Sequence, residues 1–124
     1  MKKIAFICVH NSCRSQIAES LCKIYRKDLE AYSAGTEIKR QINQDAVRIM
    51  KDKYNIDMSN QYSKLITDIP KCDIYVSMGC NVTCPIIIGG YAYDFGIDDP
   101  TGKSDDEFIK VIEEIKEKIL KLTI

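Results

Sequence analysis

The sequence predicts an α/β domain, a parallel sheet flanked by helices, formed as one domain over residues 1–124. Three observations lead there. Short apolar runs alternate with segments whose apolar residues recur every three or four positions. A chain of 124 residues is long enough for one core and too short for two. The segments richest in Cys, Asp and Arg each follow a predicted strand, where parallel α/β sheets bind their ligands.

The elements follow in order. "KIAFIC" (3–8) is a short apolar run with β-branched and aromatic members, as expected of a strand buried on both faces. From Ser15 the apolar positions Ile17, Leu21, Ile24 and Tyr25 predict an amphipathic helix. "LEAYSAG" (29–35) is a second strand ending at Gly35. "NQDAVRIMKDKY" (43–54) carries Ala46, Val47, Ile49 and Met50 behind an Asn43 cap, a second helix. "QYSKLITDIP" (61–70) reads as a short helical or irregular segment stopped by Pro70. "DIYVSM" (73–78) is a third strand and "YAYDFG" (91–96) a weaker fourth. Ser104 and Glu107 form a capping box opening the last helix, whose stripe is Phe108, Val111, Ile112, Ile115, Ile119 and Leu122.

Composition excludes some classes of function. Lys plus Arg and Asp plus Glu are 18 each, so no bulk field draws the chain to nucleic acid or an anionic membrane. Any affinity for an anion must come from a local site. The opening "MKKIAFICVHN" is basic then apolar, but too brief for a signal peptide and without a small-residue cleavage site, so a cytoplasmic protein is expected. The six cysteines (8, 13, 22, 72, 80, 84) are then expected as reduced thiols and not as a disulfide scaffold. With one histidine and no Cys-x2-Cys knuckle, no metal site is expected.

"CVHNSCRS" (8–15) joins the first strand to the first helix. A loop entering a helix N-terminus aims backbone N–H groups and the positive end of the dipole at its contents. Arg14 adds a planar fork suited to a tetrahedral oxyanion. Cys8 would lie beneath that anion, its thiolate favoured by the same donors and by the Ser15 hydroxyl. The loop residues Val9, His10, Asn11, Ser12 and Cys13, with Arg14, form the substrate cradle in this reading. A buried structural cysteine ending a strand is the plainer alternative for Cys8.

"MGCNVTCP" (78–85) offers a second pair of thiols, Cys80 and Cys84. Residues four apart on a helical turn share a face, with Cα atoms roughly 6 Å apart, within disulfide reach. Gly79 before them gives the backbone freedom to move. Two buried structural thiols remain the alternative.

"FICVHNSCRSQIAES" resembles the signature of the low-molecular-weight protein tyrosine phosphatase superfamily, and "NSCRSQ-AE" within it is similar to the thioredoxin-coupled arsenate reductase branch. The likeness extends through "YSAG", the second helix, "CP" at 84–85, "DDPTGK" and the last helix. It implies a four-stranded parallel sheet, with Cys8 as nucleophile, Arg14 as oxyanion clamp, and Asp99, just before Pro100, as general acid. It further implies a relay in which Cys80 attacks the Cys8 adduct and Cys84 resolves the Cys8–Cys80 disulfide. Thioredoxin then reduces the Cys80–Cys84 bond, no cofactor is needed, and a monomer is expected. The chain departs from that pattern in two ways. Only three residues separate Cys80 from Cys84, fewer than in familiar members. Some members bind potassium through positions matching Asn11, Glu19, Ser33 and a later Asp, and that later position is Lys64 here, so little potassium activation is expected.

Arsenate reduction by Cys8, Cys80 and Cys84 is therefore the expected activity. The competing reading is a low-molecular-weight phosphatase acting through a Cys8 phosphocysteine. A phosphatase needs no thiol pair, and Thr101, Gly102 and Lys103 follow Asp99-Pro100 where phosphatases carry aromatics. A binding-only oxyanion sensor and a phosphocysteine carrier are further alternatives; Arg14 argues against the carrier, which must leave its phosphoryl group open to a partner. Cys13 is read first as structural, with a protective disulfide to Cys8 as its alternative. Cys22 is read as core, and Cys72 has no evident partner.

Overall fold

The computed structural model describes residues 1–79, 87 and 89–123. Four strands, β1 (Lys2–Ile7), β2 (Leu29–Ala34), β3 (Ile74–Ser77) and β4 (Tyr93–Asp94), form one parallel sheet in the order β2-β1-β3-β4. Among the described residues there are three α-helices: α1 (Arg14–Tyr25) and α2 (Gln44–Tyr54) connect successive strands, and α3 (Asp105–Leu120) follows β4. The 61–70 segment is mostly irregular, with one 3-10 turn at Ile66–Asp68, and ends at Pro70 as expected.

β1 is central because it is buried on both faces, Ile4 to Ile7 having no exposed surface. Its Ile4 and Phe6 face joins the main core, with Ile17, Ala18 and Leu21 of α1, Ile49 and Met50 of α2, and Phe108, Ile112 and Ile115 of α3. Its Ala5 and Ile7 face packs with Ala34, Cys72, Tyr75 and Ile66. The predicted stripe of the last helix is buried throughout, Leu122 lying just past its end. Asn43 caps α2 by accepting from the Ala46 N–H at 3.0 Å, and Ser104 caps α3 by accepting from the Glu107 N–H at 3.4 Å.

One helix differs from its prediction. α1 is not a one-sided amphipathic helix: every residue from Ser15 to Cys22 is buried, while Ile24 and Tyr25, read as part of its stripe, are partly exposed. The reason is polar. Gln16, Glu19 and Ser20 find partners inside the protein, so burial does not orphan them. Apolar periodicity cannot register such a face.

The sheet order places the β1 C-terminus between β2 and β3, at the point where connections leave toward opposite edges. Loops there are the expected ligand position. The loop after β1 is Cys8–Cys13.

Burial also fixes the behaviour of three thiols. Desolvation pushes Cys13 up to about 12 and Cys22 and Cys72 up to about 11, from an ordinary 9.0; the negative charges of Asp99 and Cys8 add to the effect at Cys13. The unfolded chain releases these protons near pH 9 and the folded chain holds them longer, so stability is full below pH 9 and falls as pH rises toward 11–12. The urea midpoint is expected to be lower at about pH 10 than at about pH 8, and Cys22→Ala to weaken that dependence. A midpoint that does not move would contradict this burial.

Candidate active site

Local sequence sets the cradle in motion at Cys8, where the strand ends. The Cys8 N–H still bonds to the Ala34 carbonyl at 3.2 Å, as part of the β1–β2 register. Beyond it the Val9 carbonyl accepts from the Thr36 and Glu37 N–H groups at 2.8 and 3.0 Å. This closeness requires Gly35: a Cβ there would sit 2.4 Å from the Val9 oxygen and 2.6 Å from the Cys8 oxygen. The chain then turns through Asn11, whose φ of 50° is left-handed, a conformation Asn tolerates better than most residues. Arg14 begins α1 directly afterwards.

The Cys8 sulfur lies 2.8 Å from the Ser15 hydroxyl. Asn11 Nδ2 donates to that same hydroxyl oxygen at 2.9 Å, which leaves the Ser15 proton free to be donated to sulfur. The Asn11 amide is itself fixed, because Oδ1 accepts from Gln16 Nε2 at 2.8 Å and from the Lys64 N–H at 2.9 Å. The result is a directed chain of donors ending on the Cys8 sulfur.

Arg14 is tethered by one corner. Its Nη1 donates to the Met78 and Ile97 carbonyls, at 3.0 and 2.7 Å, which close β3 and follow β4. Segments just past β3 and β4 therefore hold the guanidinium, and it lines the cavity with Cys8, Val9, His10, Ser12, Cys13 and Asp99. That cavity has a volume of about 40 Å³, the scale of one small ion. Pockets for organic ligands run to about 300–1,000 Å³. A larger cleft, about 650 Å³ beside β2, does not include Cys8.

Of the predicted site residues, Cys8, Arg14 and Asp99 share this cavity and Ser15 bonds to Cys8 beneath it. Between the two candidate acids, it is Asp99 and not Asp98 that lines it. Asn11 is fully buried and braces the loop from behind. His10 stands half-exposed at the rim, its Nε2 2.6 Å from Glu37 Oε2. Cys80 and Cys84 lie outside the described residues. Cys13 is buried in the cradle, Cys22 is fully buried in the core, and the Cys72 thiol donates to the Pro70 carbonyl at 3.3 Å.

The sequence reading missed the bracing segment 61–64. Gln61 and Gln16 bond to each other through side chains, with Gln61 Nε2 donating to Gln16 Oε1 at 2.7 Å. Ser63 donates to the His10 carbonyl at 2.8 Å. The one available signal was Gln16 inside the "NSCRSQ" motif.

Glu19, buried on α1, accepts from Ser33 at 2.6 Å and from Lys23 at 2.7 Å. The Lys64 ammonium stands 3.5 Å from its Oε1 and donates to the Tyr62 carbonyl at 3.1 Å. Burial lowers the Lys64 ammonium below its ordinary value, while Glu19 works to keep it charged. A potassium ion does not fit these residues, since a lysine cation already stands beside the carboxylate.

Two outcomes follow from this geometry. Gly35→Ala would press on backbone oxygens that cannot step aside, at a cost of about 1–3 kcal/mol of stability, and inorganic phosphate binding measured by calorimetry should weaken with it. Replacing NaCl by KCl at fixed ionic strength should leave the melting temperature and catalytic efficiency unchanged; a potassium-specific rise in either would contradict the role of Lys64.

A thiol, a tethered guanidinium and a carboxylate around an ion-sized cavity point to chemistry on a small oxyanion, and known proteins share the arrangement's framework. The sequence matches the family described as low molecular weight phosphotyrosine protein phosphatase over residues 3–84. It is 40% identical over 124 residues to arsenate reductase 2 of Staphylococcus saprophyticus, covering 95% of this chain and 93% of that protein. It is 40% identical over 121 residues to an arsenate reductase of Staphylococcus aureus strain Newman, covering 93% and 91%. Among solved structures, an arsenate reductase in the phosphate binding state superposes with a TM-score of 0.83 at 33% identity, covering 96% of this chain and 94% of that one. An arsenate reductase in the oxidized state superposes at 0.82 with 30% identity and the same coverage. The chain belongs to the low molecular weight phosphotyrosine protein phosphatase family.

Proposed function

We propose that this protein reduces arsenate to arsenite by a thiol relay. The observation that carries the proposal is the Cys8 sulfur, 2.8 Å from the Ser15 hydroxyl, in a cavity of about 40 Å³ also lined by Arg14 and Asp99. The similarity to arsenate reductases over nearly the whole chain supports it.

In the first step the Cys8 thiolate attacks arsenic(V). A sulfur–arsenic bond forms and the hydroxyl of hydrogen arsenate leaves as water, taking its second proton from Asp99. Arg14 and the N–H groups of residues 9–14 hold the remaining oxygens, and the Ser15 proton steadies the sulfur before attack. In the second step the Cys80 thiolate attacks the Cys8 sulfur. The sulfur–arsenic pair departs with arsenic, which falls to arsenic(III), and a Cys8–Cys80 disulfide remains. Cys84 then attacks Cys80, releasing Cys8 as a thiolate and leaving Cys80–Cys84. Thioredoxin, the partner in this reading, restores that pair by supplying two electrons. The reaction needs no metal or organic cofactor, and the protein works as a cytoplasmic monomer.

A phosphatase would share the first step and then admit water to a phosphocysteine. The family match favours keeping this second reading. The test is NADPH oxidation with arsenate, thioredoxin and thioredoxin reductase, comparing the native chain with Cys84→Ser. Sustained turnover that collapses in the variant is expected. No NADPH consumption by either protein, together with steady phosphate release from aryl phosphates, would replace the reductase by the phosphatase.

A further inference from the structure

Asp99 lies on an exposed turn, with Asp98, Thr101, Gly102 and Lys103 all open to solvent. A proton donor on such a turn would sample many rotamers unless something held it. Two bonds do so, and both end on one oxygen. The Thr101 N–H donates to Asp99 Oδ1 at 3.1 Å and the Thr101 hydroxyl donates to the same atom at 2.7 Å. The first is a local Asx turn that any residue at 101 except proline would make. The second requires a hydroxyl.

The direction of that hydroxyl is settled by Asn43. The Asn43 side chain donates from Nδ2 to Thr101 Oγ1 at 3.3 Å. Its amide cannot be reversed, because Oδ1 caps α2 by accepting from the Ala46 N–H. Thr101 therefore receives one proton from Asn43 and gives its own to the Asp99 carboxylate, a stronger acceptor than the Cys13 thiol that also lies within its reach. The Asn43 backbone N–H meanwhile donates to the Ser12 carbonyl of the cradle at 2.7 Å. One residue thus bonds to the loop that carries the nucleophile, to the helix behind it, and to the side chain that steers the carboxylate.

We infer that Thr101 is a positioning residue for Asp99 and that Asn43 acts through it, holding the acid at a fixed distance from the Cys8 cradle. Oδ1, with two donors already on it, is the poorer site for a proton. Oδ2 is then the oxygen that carries the proton and gives it to the departing arsenate oxygen. Neither residue lines the cavity, so the effect belongs to turnover and not to binding. The inference rests on the reading of Asp99 as the acid, and its test separates the two.

The measurement is kcat and KM for arsenate in the thioredoxin-coupled assay, for Thr101→Val, Thr101→Ser, Asn43→Ser, the double variant Asn43→Ser/Thr101→Val, and Asp99→Asn. Thr101→Val should lower kcat by about tenfold, the factor expected on losing one hydrogen bond to a charged group, with KM changed by less than about twofold. Thr101→Ser should restore kcat, since it keeps the hydroxyl. Asn43→Ser keeps an oxygen for the α2 cap but cannot reach Thr101, so kcat should fall by less than in Thr101→Val. The double variant should be no slower than Thr101→Val alone, because Asn43 has no route to Asp99 once the hydroxyl is gone. Should Thr101→Val fail to fold, Thr101→Ser and Asn43→Ser still decide the matter: a kcat unchanged in Asn43→Ser overturns the inference. A normal kcat in Thr101→Val with a collapsed one in Asp99→Asn also overturns it and leaves the acid in place. A normal kcat in Asp99→Asn removes the acid reading, and the inference with it.

Discussion

The buried amide of Asn11 is the joint on which the cradle depends. It sits in left-handed backbone at the middle of the loop and has no exposed surface. Its oxygen takes protons from Gln16 on α1 and from the backbone of Lys64, and its nitrogen gives one to Ser15 beside Cys8. The loop, the first turn of α1 and the distant Lys64 backbone meet on this one side chain. Removing it would strand the Lys64 N–H, at a cost of about 1–3 kcal/mol, and leave Gln16 Nε2 with only the Asn11 and Tyr62 carbonyls. Much of the rest of the site is a consequence: the sulfur has a defined hydroxyl partner because the amide behind that hydroxyl cannot turn.

Bracing of this kind explains why α1 is polar where a core helix would be apolar. Ser15, Gln16, Glu19 and Ser20 are all buried, and each has partners: Gln61 for Gln16 and Ser20, Ser33 and two lysines for Glu19. Buried charge adds little net stability against apolar packing of the same volume. A satisfied network does something different, since each bond has a direction and only one register satisfies them all. α1 is held in that register against β2 and the 61–64 segment, and the first residues of α1 are Arg14 and Ser15.

The apolar half of the molecule supplies the fixed frame. β1, buried on both faces, cannot slide without moving Ile4 and Phe6 out of one core and Ala5 and Ile7 out of the other. Its parallel pairing with β2 and β3 sets where Cys8 emerges, and the carbonyls of Met78 and Ile97 at the ends of the neighbouring strands set where Arg14 lies. The Cys8 sulfur and the Arg14 guanidinium are thus placed by the same sheet. Asp99, on a loop beyond the last strand, is tied to the cradle by side chains and not by strand pairing.

By itself the sequence determined the elements and the place of the Cys8 loop. Periodicity and caps depend on residues a few positions apart, so the strands near 3–8, 29–35 and 73–78 and the helices from Asn43 and Ser104 were legible. The cradle was legible for the same reason, since Cys8, Arg14 and Ser15 lie within one strand-to-helix turn. The thiols Cys80 and Cys84 are known from the sequence alone. Tertiary structure decided the partnerships. Gln16 with Gln61, Glu19 with Lys64, Arg14 with Ile97 and Asn43 with Thr101 are separated by 45, 45, 83 and 58 positions. No local pattern encodes such pairs, because a polar side chain has the same sequence signature whether water or a distant residue will satisfy it. Only the packed sheet, by bringing its C-terminal loops together and excluding water from between them, chooses the partner.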